Sequence, residues 1–300
     1  MIAKTHFQSE EEKREYVEAC DADFEARLDQ VMHNVCARDN LKYITLSGPT
    51  CSGKTTASRK LISEFKERGR DVRIISLDDF FRDQTDLEAE AKRENKRLDF
   101  DSERALDLNA LRAFIDALHD GIPAFLPRFD FVAGKRTEIR EFMPQDSDVI
   151  LFEGIQAIYP AFTELIKGIP CLSLMINVED SLTVGNVTLP PRTVRLMRRL
   201  VRDYRFRGAK PEFSFFLWEG VTANEDKNIL PFTHLADLHI NSLLGYEACM
   251  LKPYLDPLMQ SIPADSPYKK QAEELLMALD GIDTVSADYL PENALYREFI

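Results

Sequence analysis

The stretch Gly48-Pro49-Thr50-Cys51-Ser52-Gly53-Lys54-Thr55, followed by Thr56, fits the pattern G-x-x-x-x-G-K-[ST]. Tyr43-Ile44-Thr45-Leu46 reads as a strand running into it, and Thr56 to Arg68 reads as a helix that stops at Gly69. That strand–loop–helix setting separates a phosphate-binding loop from a chance match, which average residue usage gives in roughly one chain in a hundred of this length. The two glycines let backbone N–H groups close around a polyphosphate, and the helix start adds its positive dipole. Lys54 is expected to reach the outer phosphates, and the Thr55 hydroxyl to ligate magnesium. Nucleotide binding is the first expectation.

Composition sets the outer limits. The 300 residues allow one large α/β domain or two small ones, and an apolar share of 44% supports a sizeable core. A net charge of −13 argues against general binding to nucleic acid or to anionic membranes. The five cysteines show no C-x-x-C spacing, which reads as reduced thiols. With no signal-peptide pattern at residue 1 and no apolar run of membrane-spanning length, a cytoplasmic location and no membrane contact are expected.

Residues 1–40 differ in character from the rest and form a helical extension. Val17, Cys20, Phe24, Leu28, Val31 and Val35 recur at helical spacing, so Ser9 to Ala37 reads as one amphipathic helix capped by Ser9. Its apolar stripe is expected to dock on the body of the chain, with homo-oligomerisation through it as the alternative.

In residues 41–300, the strand pattern Val72 to Leu77 ends in Asp78-Asp79-Phe80-Phe81. A carboxylate at the carboxyl end of a parallel strand lies where open α/β sheets build their sites. The highly charged stretch 82–104 reads as a mobile excursion and contains Leu98-Asp99-Phe100-Asp101. Pro127-Arg128-Phe129-Asp130-Phe131 reads as part of a short hairpin, and Asp148 to Gly154 as an apolar strand ending in Glu153. An acid in that place holds a metal ion or its water in a phosphate site.

Residues 192–207 carry seven arginines: Arg192, Arg195, Arg198, Arg199, Arg202, Arg205 and Arg207. Arginine without lysine inside an acidic chain suits planar recognition of phosphate oxygens, so the run reads as a phosphate-gripping lid over about 185–211. The competing reading is a solvated helix face.

These stretches, in this order, resemble the uridine kinase and phosphoribulokinase family. The resemblance rests on Gly48 to Thr56, Ser76 to Phe81, Asp99-Phe100-Asp101, Phe129-Asp130-Phe131, Phe152-Glu153-Gly154-Ile155 and Arg195 to Asp203. Glu225 to Ile229, Leu251 to Tyr254 and Arg297 to Ile300 are similar to bacterial members whose kinase domain follows a threonyl-tRNA-synthetase-like region.

The family implies an α/β P-loop NTPase fold: a mostly parallel five-stranded sheet, helices on both faces and an arginine-rich lid. It implies phosphorylation of a nucleoside 5′-hydroxyl, uridine or cytidine first, with ATP and Mg2+. Position by position, Asp78 is the implied general base, and Asp101 holds ribose hydroxyls with Phe100 against the base. Phe81 and Phe129 stand where tyrosines are usual, and Phe131 matches a family phenylalanine. Glu153 supports magnesium with Thr55, and Arg195, Arg198 and Arg202 meet the substrate and the transferring phosphoryl group. The histidine that family members use for pyrimidine recognition is replaced by Ala133-Gly134-Lys135. Two alternatives stand beside this: a related kinase for a sugar phosphate or pantothenate, and a non-catalytic nucleotide-sensing or RNA-associated protein.

Overall fold

Tyr43–Ser47 forms β1, and every one of its residues is buried because the strand lies at the centre of a sheet covered on both faces. A computed structural model describes residues 1–96 and 98–300. The further strands are β2 (Val72–Ser76), β3 (Ala124–Asp130), β4 (Lys135–Phe142), β5 (Val149–Glu153), β6 (Cys171–Asn177), β7 (Leu182–Val184), β8 (Val187–Leu189) and β9 (Leu238–Asn241). Five of them make one sheet in the order β2-β5-β1-β6-β9, and every pairing in it is parallel. The pairs β3–β4 and β7–β8 are separate antiparallel hairpins.

The helices are α1 (Glu10–Cys36), α2 (Lys54–Glu67), α3 (Gln84–Arg93), α4 (Leu108–His119), α5 (Pro160–Thr163), α6 (Pro191–Arg207), α7 (Pro211–Asn224), α8 (Glu247–Gln260) and α9 (Lys269–Ala278). Among the described residues no helix is long and apolar enough to cross a membrane.

Strand periodicity of two divides the core. Val149 and Leu151 of β5 join the apolar cluster made with α1, α2, α6, α8 and α9, while Ile150 and Phe152 join the one made with α4 and the β3–β4 hairpin. The stripe of α1 is part of the first cluster: Val17, Phe24, Leu28, Met32 and Val35 are all buried there. Ser9 Oγ caps the helix by accepting from the Glu12 N–H, and Arg27 donates to the Asn241 and Leu243 carbonyls. The charged stretch 82–104 carries helix α3, with Arg82 paired to Glu90 at 2.5 Å and Arg104 to Glu94 at 2.7 Å.

The expected lid over 185–211 is not a body standing off the sheet. Val194, Met197, Leu200 and Val201 of α6 are buried in the main core, which anchors the helix along its length. The π-helical turn Glu225–Ile229 after α7 delivers Glu225 to the buried Arg195. Arg198 is fully buried and makes a two-bond pair with Glu247, at 2.5 and 2.8 Å. It also donates to the Ser242 and Cys51 carbonyls, so its donors are used inside the protein.

Arg198→Ala leaves the Glu247 carboxylate buried without its cation, a change that costs about 3–5 kcal/mol. Urea unfolding followed by circular dichroism should register a loss of that size. A loss below about 1 kcal/mol would mean that the pair supports nothing.

Candidate active site

The register of the sheet brings three strand ends to one edge. Glu153 lies opposite Leu46 of β1 and opposite Ser76 of β2. The loop that follows β1, the turn Leu77–Phe80 that follows β2, and Glu153 itself therefore share the carboxyl edge of the sheet. That edge is where parallel α/β sheets hold ligands.

The loop is built for close approach. A Cβ on Gly48 would stand 2.4 Å from the Ile176 carbonyl oxygen, so only glycine lets β1 turn into the loop here. Gly53, at φ 98°, starts α2 from a left-handed conformation that glycine adopts without strain. Cys51 adopts φ 58°, unusual for a side-chain-bearing residue, and its carbonyl is held by Arg198 at 3.0 Å. Arg195 donates to the neighbouring Thr50 carbonyl at 3.2 Å. Lys54 Nζ folds back over the loop onto the Gly48 and Pro49 carbonyls, at 2.8 and 3.3 Å. Burial lowers the Lys54 pKa, against the opposing pull of Glu153 and Asp78.

Thr50, Cys51, Ser52, Gly53, Lys54, Thr55, Glu153 and Arg202 line one cavity of about 380 Å³. Arg207, Glu298 and Phe299 complete it. The fit to a polyphosphate is visible in the loop: a glycine cradle, a helix start, three cationic side chains, and a buried Ser52 hydroxyl without a partner among the described residues. Among the described residues no group of three or more His, Cys, Asp and Glu side chains converges as a ready-made metal site. A magnesium ion bound through phosphate oxygens and water needs only one or two protein oxygens, and Thr55 and Glu153 supply that number. The Glu153 carboxylate accepts from Ser58 Oγ at 3.0 Å, which fixes its orientation.

Two further carboxylates stand within electrostatic reach of Lys54. Burial raises the pKa of Asp78 to about 6, opposed by the charge of Lys54 and assisted by Asp79 and Glu153. Burial likewise raises Asp101 to about 6, with help from Asp99 and Asp78 and opposition from Lys54 and Arg199. The neighbouring Asp79 serves the fold instead. Its carboxylate accepts from the Phe129 N–H at 3.1 Å and ties the hairpin to the turn. Gln156 and Tyr159, just beyond β5, donate to the Phe100 and Asp101 carbonyls at 2.8 and 2.9 Å. They hold the 98–101 segment in place.

Phe81, Phe100, Phe129 and Phe131 form one aromatic group, with ring centroids 5.2–6.2 Å apart. The four phenylalanines thus meet in one group, Asp101 directly follows Phe100 in the chain, and Pro49 and Thr56 lie on the loop and its helix.

The arginines divide differently from the sequence reading. Arg195, 2% exposed, and Arg198, 0% exposed, are committed to Glu225 and Glu247 and to the underside of the loop. In this structure they hold the loop from below, and neither of them lines the cavity. Arg199, Arg202 and Arg207 instead gather round the buried Asp203, at 3.1, 2.8 and 3.4 Å. Asp203 therefore orients the cavity arginines Arg202 and Arg207, the second of which sequence reasoning passed over, together with Arg199. Arg207 was within the quoted arginine run, but nothing local said which face of α6 meets the loop.

The sequence profile of the phosphoribulokinase / uridine kinase family matches residues 43–245. A uridine kinase of Deinococcus deserti is 29% identical over 170 residues, 56% of this chain and 72% of its own. A uridine-cytidine kinase 2-B of Danio rerio is 30% identical over 175 residues, 56% of this chain and 60% of its own. Among solved structures, the YGR205w protein shares the fold at a TM-score of 0.51 and 14% identity, over 73% of this chain and 96% of that one. With the family match spanning the loop, the sheet and the arginine helix, the chain belongs to the phosphoribulokinase / uridine kinase family, phosphotransferases that act on an alcohol group.

Proposed function

We propose that this kinase uses ATP and Mg2+ to phosphorylate the 5′-hydroxyl of a nucleoside, with uridine and cytidine as the first candidates. One observation carries the reading: a carboxylate with its pKa at about 6, Asp78, shares its surroundings with Lys54 of the loop and with Asp101. A base poised near neutral pH accepts the proton of an attacking hydroxyl as the new P–O bond forms. Lys54, Arg202 and Arg207 spread the charge that builds on the transferring phosphoryl oxygens. Bound Mg2+ would bridge donor phosphates, held by Thr55 and supported by Glu153. Asp101 suits a pair of ribose hydroxyls, and the phenylalanines Phe81, Phe100, Phe129 and Phe131 suit the flat face of a base. An aromatic group that includes Phe100, next in the chain to Asp101, favours a neutral sugar over a sugar phosphate, which asks for cations.

The pocket has few polar handles for a base. A site that does not hydrogen-bond a substrate group discriminates weakly against analogues that differ in that group. Turnover spread over several nucleosides is therefore expected, tested by ADP release with uridine, cytidine, adenosine, inosine, ribulose 5-phosphate and pantothenate. Activity on ribulose 5-phosphate or pantothenate alone would overturn the nucleoside reading.

Three measurements probe the roles. Asp78→Asn should lower kcat by about 10²–10⁴-fold while ATP affinity stays within about threefold. Unchanged turnover would remove Asp78 as the base. In the wild type, a base with a pKa of about 6 is deprotonated and competent above pH 6 and protonated below it, so kcat/KM should fall on the acid side with a midpoint near 6. A flat profile down to pH 5 would contradict the assignment. Arg202→Ala should lower kcat about 10²-fold or more with little change in thermal midpoint, the reverse of the balance expected for Arg198→Ala.

A further inference from the structure

Thr56 is the third residue of α2, and its N–H is among the four at a helix start that have no partner inside the helix. Here that donor is taken. Glu298 Oε1 accepts from the Thr56 N–H at 2.8 Å and from Thr56 Oγ1 at 2.6 Å, across 242 residues of sequence. The carboxylate lines the loop cavity with Lys54, Arg202 and Arg207.

Its position is built. Glu298 closes the turn Leu295–Glu298, and Leu295 packs so tightly on the loop that a Cβ on Gly53 would lie 2.6 Å from Leu295 Cδ1. Tyr296 donates to Glu247 at 2.6 Å, and the Phe299 ring centroid lies 5.1 Å from the Arg198 guanidinium. The network that holds the loop thus also holds the residues on either side of Glu298.

In a phosphate-binding loop the N–H groups that run into the helix cradle the inner phosphates of a nucleotide, while the lysine reaches the outer ones. Two anions cannot both take the Thr56 donors. We propose that Glu298 is a donor-selecting residue: its carboxylate stands in the inner-phosphate position at Thr56, so a nucleoside triphosphate binds only by displacing it. A shorter inorganic donor that uses the loop and Lys54 alone leaves Glu298 in place. The inference rests on the reading of Gly48–Thr55 as the donor site.

The test is calorimetric titration of the full chain with ATP and with inorganic pyrophosphate, each with Mg2+, using wild type, Glu298→Ala, Glu298→Gln and Lys54→Ala. Glu298→Ala is expected to tighten ATP by about tenfold or more and pyrophosphate by less than about threefold. Glu298→Gln keeps the shape and an acceptor oxygen but loses the charge, and is expected to tighten ATP by about threefold, which serves as the test if the alanine variant loses its fold. Unchanged or weaker ATP binding in both variants overturns the proposal. So does equal tightening of ATP and pyrophosphate, which would make Glu298 a general negative charge. If Lys54→Ala binds both ligands as tightly as wild type, the donor reading of the loop fails, whatever the Glu298 variants do.

Discussion

One buried charge pair, Arg198 with Glu247, braces the phosphate loop from below. An arginine removed from water loses several kcal/mol of hydration, and only a partner of matching geometry with further acceptors offsets that loss. Glu247 supplies the two-bond partner, and the Ser242 and Cys51 carbonyls accept the remaining donors. The Cys51 carbonyl is turned toward Arg198, the underside of the loop. Cys51 has a left-handed backbone at that turn, and the hydrogen bond from Arg198 to its carbonyl helps to hold it there. Arg195 does the same one residue earlier through Thr50. Two cations on the underside hold carbonyls, which frees the N–H groups of the loop for the other side.

This division of labour explains why α6 is so rich in arginine. Its inward positions 195 and 198 are structural, and its positions 199, 202 and 207 converge on Asp203 beside the cavity. Asp203 neutralises part of their mutual repulsion and fixes their directions, so the three remain close together without a bound anion. In a chain of net charge −13, such a local cationic patch contrasts with its surroundings and draws a polyphosphate to one place.

Much of the fold was legible because its signals are local. A buried parallel strand writes itself as a continuous apolar run, and the glycine–lysine loop identifies which of those runs is central. Asp78 and Glu153 were found by a positional rule, acids at strand ends, and the parallel register places them on one edge. The arginines were legible as a group and not as individuals. Arg195, Arg198 and Arg202 share a face by spacing, yet their fates differ, because their partners Glu225, Glu247 and Asp203 come from three separate segments. Helical periodicity says which residues are neighbours on a surface and not what that surface meets. Glu298 gave no signal of its role, since the donor it occupies belongs to a helix 242 residues away in sequence.

The two halves of the site are under opposite electrostatic constraints. On the donor side, cations outnumber anions, and Glu298 is the anion that takes a phosphate's place. On the proposed acceptor side, Asp78 and Asp101 are partly buried, and loss of solvent pushes both carboxylates to about 6. Lys54 stands between them, lowered by burial and supported by Asp78 and Glu153, so each half sets the charge state of the other. On the proposed reading, a phosphate brought to Lys54 would add negative charge near Asp78 and push its pKa further up. Coupling of this kind needs no moving lid. It follows from placing a lysine, two carboxylates and an incoming anion within one poorly solvated edge of the sheet.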